Sequence, residues 1–208
     1  ADTELIEKYY STNLIDGVTT NPTLIMKSGR DPEDVYQQLI DLGIDDISME
    51  VVGDFDGMFL EGIRLFRKFG KSATIKVPCT PDGLRACREL ARDLVNVNVT
   101  LIFSPAQAIL AAKAGAKYVS PFVGRVDDNS FDGIDLVDQI SDIYSIQNIR
   151  KTEILAASVR DVKTVSDSFG AGAHVVTMPP SIFEKMYNHV LTDRGLYQFD
   201  MDWAKVKR

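Results

Sequence analysis

The chain has 208 residues, 45% of them hydrophobic, with a formal net charge of −7 and a pI near 4.9. That length and apolar content can bury one full core, read as a single α/β domain over residues 1–208, and the acidic balance leaves no basic surface for a phosphate backbone, which excludes nucleic acid as a partner. No apolar run approaches the roughly 18 residues that span a bilayer, and the start Ala1-Asp-Thr-Glu-Leu-Ile-Glu-Lys8 lacks the basic and apolar stretches of a signal peptide, so no membrane partner and a cytoplasmic location are expected.

In chain order, Asp2 through Tyr10 read as a helix. Short apolar runs predicted as strands follow at 14–19, 47–52, 72–77, 95–103, 117–121, 152–157 and 174–178, each succeeded by a helical pattern. One such pattern places Leu84, Cys87, Leu90, Ala91 and Leu94 on a common face. Helix starts are marked by a capping residue followed by proline: Asn21-Pro22, Asp31-Pro32, Thr80-Pro81 and Ser104-Pro105. The cap accepts a free backbone N–H, and proline at the first helical position gives up a donor that would be unpaired there. The acidic segment 126–133 reads as a surface loop. Beyond the last βα unit, the tail 191–208 carries Tyr197, Phe199 and Trp203, which pack on the chain's own body or on a neighbour.

Strands of this apolar kind imply a parallel sheet covered on both faces. A doubly wound sheet and an eightfold (β/α) barrel both fit that pattern. Polar residues recur at the C-terminal ends of nearly every strand, in a series that runs Thr19 and Asn21, Glu50, Lys76, Asn98 and Thr100, Ser120 with Phe122, then Ser158. An open sheet would gather them at one switch point, whereas a barrel brings every strand end to one mouth, and this favours the barrel.

Lys76, in Ala73-Thr-Ile-Lys-Val-Pro78, is the residue with most chemistry in it. A lysine in a β-branched strand either extends to water or acts as an amine nucleophile that attacks a carbonyl to form a Schiff base. Thr74, Lys76 and Pro78 share one strand face. Glu50 reads as a salt-bridge partner of Lys76 and as a proton shuttle for carbinolamine formation and dehydration. Asn98 and Thr100, two apart, point to one face and suit substrate hydroxyls. Arg125, Arg160 and Ser158 suit a phosphate dianion, or are solvated. His174 and His189 read as structural or exposed, and Cys79 as a small apolar residue. Two cysteines and two histidines supply neither a disulfide framework nor metal-ligand spacing, so no metal is expected.

The segments Gly17-Val-Thr-Thr-Asn-Pro22, Ile75-Lys-Val-Pro78, Asn98-Val-Thr100, Ala114 through Arg125 and Leu155-Ala-Ala-Ser-Val-Arg160 resemble the transaldolase family, particularly its small subfamily that includes fructose 6-phosphate aldolase. The resemblance is collinear over essentially the whole chain. It implies a (β/α)8 TIM barrel with a C-terminal helical tail and a class I aldolase mechanism that needs no cofactor. It also implies that Lys76 binds the ketose carbonyl and that Glu50 and Thr100 relay protons. Thr19, Asn21, Asn98 and Ser120 would contact the substrate, Phe122 would line the site, and Arg125, Ser158 and Arg160 would clamp a phosphate. The implied reaction moves a dihydroxyacetone unit from sedoheptulose 7-phosphate to glyceraldehyde 3-phosphate; the implied assembly is a homo-oligomer, a pentamer or decamer. Glu50, Phe122 and Asn98 match transaldolases, where the aldolase has glutamine, tyrosine and an apolar residue. One departure stands out: the family's acidic residue at the end of its first strand has no clear counterpart. Asp2-Thr3 resembles that dipeptide but lies too close to Gly17, so the first barrel strand is expected to be missing from this chain and Asp2 is not assigned a catalytic role. Two alternatives follow, a fructose 6-phosphate aldolase and a sugar-phosphate-binding barrel with impaired catalysis.

Overall fold

The computed structural model of the protein describes residues 2–206; Ala1, Lys207 and Arg208 lie outside them. Strands β1 (Val18–Thr19), β2 (Ile47–Glu50), β3 (Ala73–Pro78), β4 (Asn96–Ile102), β5 (Tyr118–Pro121), β6 (Glu153–Ala156) and β7 (Val175–Val176) pair in strictly sequential order, every pair parallel. A doubly wound sheet must reverse its order somewhere, so sequential order identifies a sheet that curls one way, as in a barrel. Seven strands are found among the described residues, and no backbone ladder joins β1 to β7. The two edges meet instead through side chains, with Thr19 Oγ1 2.8 Å from Thr177 Oγ1.

Eleven α-helices among the described residues surround the sheet. The four cap–proline pairs start α2 (Pro22–Ser28), α3 (Pro32–Asp41), α5 (Pro81–Arg92) and α6 (Pro105–Ala114), and each cap side chain accepts a first-turn N–H. Asp2 does the same for α1 (Thr3–Tyr10), accepting from Leu5 N at 3.1 Å. Helix α1 then closes the outer layer between α3 and α10 (Pro180–Lys185): Tyr9 packs edge-on against Phe183, their centroids 5.2 Å apart, and Tyr10 donates to Gly43 O. The remaining helices are α4 (Phe55–Phe69), α7 (Val123–Asp128), α8 (Gly133–Ile146), α9 (Val162–Gly170) and α11 (Val190–Val206).

Three local expectations are corrected. The first strand begins at Val18 rather than at residue 14, and Leu14 is exposed. Leu94 does not share the buried face of Cys87 and Leu90; it follows the end of α5 in the left-handed region at φ 61 and is exposed. The segment 126–133 is not all loop, because Val126 to Asp128 complete α7 and Val126 is buried.

Apart from the C-terminal end of β4, the strands alternate between two faces. Ile47, Met49, Ile75, Val97, Val99 and Ile154 join the apolar core between sheet and helices. Ile75 faces α4 so closely that a methyl group on Gly62 would stand 3.2 Å from its Cγ2. The other set turns inward and is polar. At the N-terminal end of the sheet it forms a plug on Asp46, whose carboxylate accepts from Thr74 Oγ1 at 2.7 Å, Lys117 Nζ at 2.8 Å and Tyr118 OH at 2.9 Å. Those donors come from β3 and β5 and the residue before it, so one carboxylate ties the barrel interior together.

Asp46→Ala is expected to lower the unfolding free energy by about 2–3 kcal/mol, because it strips a charged acceptor from half-buried donors; urea denaturation at neutral pH reads the change. Burial lowers the Lys117 pKa, but the hydrogen bonds to Asp46 and Tyr118 outweigh it and hold the ammonium above its ordinary value. Its contribution is complete below the unfolded lysine value of about 10.4 and fades as pH rises through the folded value, so the gap between parent and variant narrows in alkaline solution.

Candidate active site

Four registered positions carry the inward face upward from the Asp46 plug: Ser48 opposite Thr74, Glu50 opposite Lys76, Lys76 opposite Asn98, and Pro78 opposite Thr100. They lead to a cavity of about 170 Å³ at the C-terminal mouth of the sheet. Lys76 is 6% exposed. Its Nζ donates to Glu50 Oε2 at 2.9 Å and to the carbonyl of Thr20 at 3.0 Å. A cation taken out of water needs such partners, and the register that sets Glu50 beside Lys76 supplies the charged one.

Asn98 sits in a hydrogen-bonded row across three strands. Its Nδ2 donates to Ser48 Oγ at 3.2 Å and its Oδ1 accepts from Ser120 Oγ at 2.7 Å. Thr100 Oγ1 is the one buried side-chain polar atom without a hydrogen-bond partner among the described residues, and Thr100 lines the cavity. A buried hydroxyl left unpaired costs about 1–3 kcal/mol, so this one is built to meet something that enters. Asn21 reaches the cavity with its Oδ1 already accepting from Leu24 N as the cap of α2.

At the rim, α7 lies against the turn after β6. A methyl group on Gly124 would stand 2.2 Å from Ser158 O and 3.0 Å from Arg160 Nε, so only glycine allows that approach. Ser158 itself occupies the left-handed region at φ 62, a strained backbone of the kind that gathers at functional sites. The two arginines differ. Arg125 lines the cavity, and its guanidinium rests 5.0 Å from the Phe122 ring centroid with no carboxylate paired to it among the described residues. Arg160 offers both terminal nitrogens to the carboxylate of Asp128, the last residue of α7.

Of the residues singled out in the sequence, Thr19, Asn21, Lys76, Asn98, Thr100, Ser120, Phe122, Arg125 and Ser158 line this cavity. Glu50 joins them through its ion pair with Lys76. Arg160 does not line it; its fork is taken by Asp128 at the rim. Sequence reasoning missed Thr177, Leu155 and Ala157, which complete the wall. Thr177 follows directly on β7 and the strand-end rule that found Thr19 applies to it equally. Asp128 lay inside a segment read as loop and gave no signal. Cys79 is half-buried and Cys87 buried; burial pushes both thiols up, Cys87 to about 12, so neither is a thiolate at neutral pH. His174 and His189 are exposed and each accepts a backbone N–H through Nδ1. Among the described residues no cluster of His, Cys, Asp and Glu could hold a metal ion, and no helix is long and apolar enough to cross a membrane.

A curled, sequential parallel sheet with a buried lysine and converging polar side chains at the C-terminal ends of its strands defines a TIM-barrel-like α/β protein. More narrowly, the chain belongs to the transaldolase/fructose-6-phosphate aldolase family, whose model matches residues 1–208. It is 50% identical over 208 residues to a protein named probable transaldolase from Nitrosopumilus maritimus, covering 100% of this chain and 93% of the relative. Proteins of the same name from Paracoccus denitrificans and Caulobacter vibrioides are 50% and 51% identical, in both cases over 99% of this chain and 94% of the relative. Family and relatives agree on an enzyme of the transaldolase type.

Gly124→Ala forces α7 away from Ser158 and is expected to destabilise the protein by about 1–3 kcal/mol, the usual cost of overpacking. Gly195→Ala in α11, where nothing lies within 4 Å of the added methyl, serves as the control and should be neutral or gain up to about 1 kcal/mol. Chemical denaturation of both variants checks the contrast.

Proposed function

We propose that the protein is a transaldolase that transfers a dihydroxyacetone unit between sugar phosphates through a Schiff base on Lys76. The observation that carries this reading is a buried lysine paired with Glu50 at 2.9 Å, in a cavity whose wall includes the unpartnered hydroxyl of Thr100. In the proposed cycle Glu50 accepts the proton that Lys76 must give up before its amine attacks the ketose carbonyl carbon. The resulting carbinolamine loses its hydroxyl as water, with the proton returned from Glu50 through a water held by Thr100. The iminium then draws the electrons of the adjacent C–C bond as it breaks, the hydroxyl on the departing carbon gives its proton through the same water to Glu50, an aldehyde departs, and a three-carbon enamine remains on Lys76. The enamine carbon adds to the acceptor aldehyde, whose oxygen takes up a proton, and water releases the new ketose.

Thr19, Asn21, Asn98 and Ser120 are the proposed contacts for the sugar hydroxyls, with sedoheptulose 7-phosphate as donor and glyceraldehyde 3-phosphate as acceptor. Arg125 and Ser158 are the proposed phosphate contacts, and Arg160 is a rim contact that must release Asp128 to take part. Phe122 supports transfer over release: its ring has no hydroxyl to place or activate water, so the enamine persists until an acceptor aldehyde arrives. We further propose a homo-oligomer, a pentamer or decamer, supported by α11, whose Leu191, Tyr197, Phe199 and Trp203 are all exposed.

The reading is tested with fructose 6-phosphate in the presence and absence of erythrose 4-phosphate, with Lys76→Ala as control. Product only with the acceptor, and a borohydride-trapped adduct at Lys76, are expected. Release of dihydroxyacetone without acceptor would point to the aldolase, and trapping without turnover to a binding protein. Phe122→Tyr should raise acceptor-independent release by about tenfold or more, the lower range of what a positioned acid–base group contributes. Light scattering checks the assembly, and a monomer mass would exclude it.

A further inference from the structure

Strand β4 breaks its own alternation just above the proposed site. Asn98 and Thr100 line the cavity, while Val97 and Val99 join the outer core. Continued alternation would turn Ile102 inward and Phe103 outward. The opposite is found. The register against β5 runs from Val99 opposite Val119 to Ile102 opposite Pro121, three residues against two, and Leu101 takes the extra place at φ 58. This is a β-bulge on a non-glycine residue, a strained arrangement that re-aims the side chains after it. Ile102 becomes fully buried in the outer core, and Phe103 turns to the mouth.

There the Phe103 ring meets Phe122 edge to face, with centroids 5.8 Å apart and planes at 62°. Phe122 in turn carries the Arg125 guanidinium 5.0 Å from its centroid. The Phe103 backbone is held as well, its N–H donating to Gln107 Oε1 at 2.8 Å. No acidic side chain orients Arg125 among the described residues, so the aromatic pair is what supports it.

We propose that Phe103 is a positioning residue for the anion end of the cavity: it fixes the Phe122 ring beneath Arg125 and so sets the preference for phosphorylated over unphosphorylated aldehyde acceptors. The proposal deepens the transaldolase reading and rests on it for the identity of the acceptors. Phe103 need not touch the reacting atoms. Its removal loosens Arg125 while the Lys76–Glu50 pair stays intact.

The test compares the parent with Phe103→Ala, Phe103→Leu and Phe103→Tyr. Leucine keeps apolar bulk without a ring, and tyrosine keeps the ring. Inorganic phosphate, titrated by calorimetry, is expected to bind ~3–10-fold more weakly to the Ala and Leu variants, the size an aromatic pair carries, and normally to the Tyr variant. With sedoheptulose 7-phosphate as common donor, KM for glyceraldehyde 3-phosphate, read from fructose 6-phosphate formation, should rise by the same factor with kcat unchanged. The constants for unphosphorylated glyceraldehyde should not move. Equal losses on both acceptors would show a merely structural role and overturn the proposal, as would equal phosphate affinity in parent and Phe103→Ala, or no phosphate binding by the parent. Borohydride trapping keeps the two readings apart: a parent that neither traps nor transfers defeats the transaldolase reading, while the phosphate titration still decides whether Phe103 governs Arg125.

Discussion

The structure depends on keeping one cation inside a barrel. An ammonium group removed from water is tolerable only if an opposite charge and further acceptors meet it, and removing one partner of such a buried pair costs about 3–5 kcal/mol. Lys76 has Glu50 and the Thr20 carbonyl. Both partners come from neighbouring parts of the sheet: Glu50 lies opposite Lys76 in the β2–β3 register, and Thr20 follows β1. A slip of one residue in that register would turn the carboxylate to the helical side and leave the lysine without its counter-charge. Strand pairing and site chemistry are therefore one constraint.

The same alternation divides the molecule into an apolar outer core and a polar inner column. The column has two ends of different character. At the bottom, the Asp46 carboxylate accepts from Thr74, Lys117 and Tyr118 together. At the top, Thr100 is left without a partner, Ser158 and Leu101 are held in left-handed backbone, and Arg125 stands on an aromatic face without a carboxylate. A shared, multiply bonded carboxylate marks the end that holds the barrel together, and unsatisfied or strained groups mark the end that meets a ligand.

Much of this could be read in the residues. The cap–proline pairs start their helices where expected, because a side-chain acceptor and a missing N–H act locally. Lys76 and Glu50 stood out because charge amid β-branched residues is costly unless used, and period-two spacing put Asn98 and Thr100 on one face. The failures were equally physical. Leu94 fits the helical period of α5 but falls beyond its end, where the chain turns. Residues 126–128 have the composition of a loop, yet the burial of Val126 and the close approach of Gly124 to Ser158 make them a helix. Arg160 has the right type for a phosphate contact, but which anion an exposed guanidinium grips depends on what lies across from it, and here that is Asp128.

By itself the sequence determined the alternation of strand and helix, the starts of four helices, the two-residue periodicity that groups polar side chains, and a resemblance that the family match supports. These are properties of short stretches, where backbone and side-chain preferences act between near neighbours. Tertiary structure decided the sequential strand order, the partner of each charge, the bulge at Leu101 that turns Phe103 to the mouth, and the different fates of Arg125 and Arg160. Each of these depends on residues far apart in the chain arriving at one place, and pairing energies of that kind exist only once the sheet has curled.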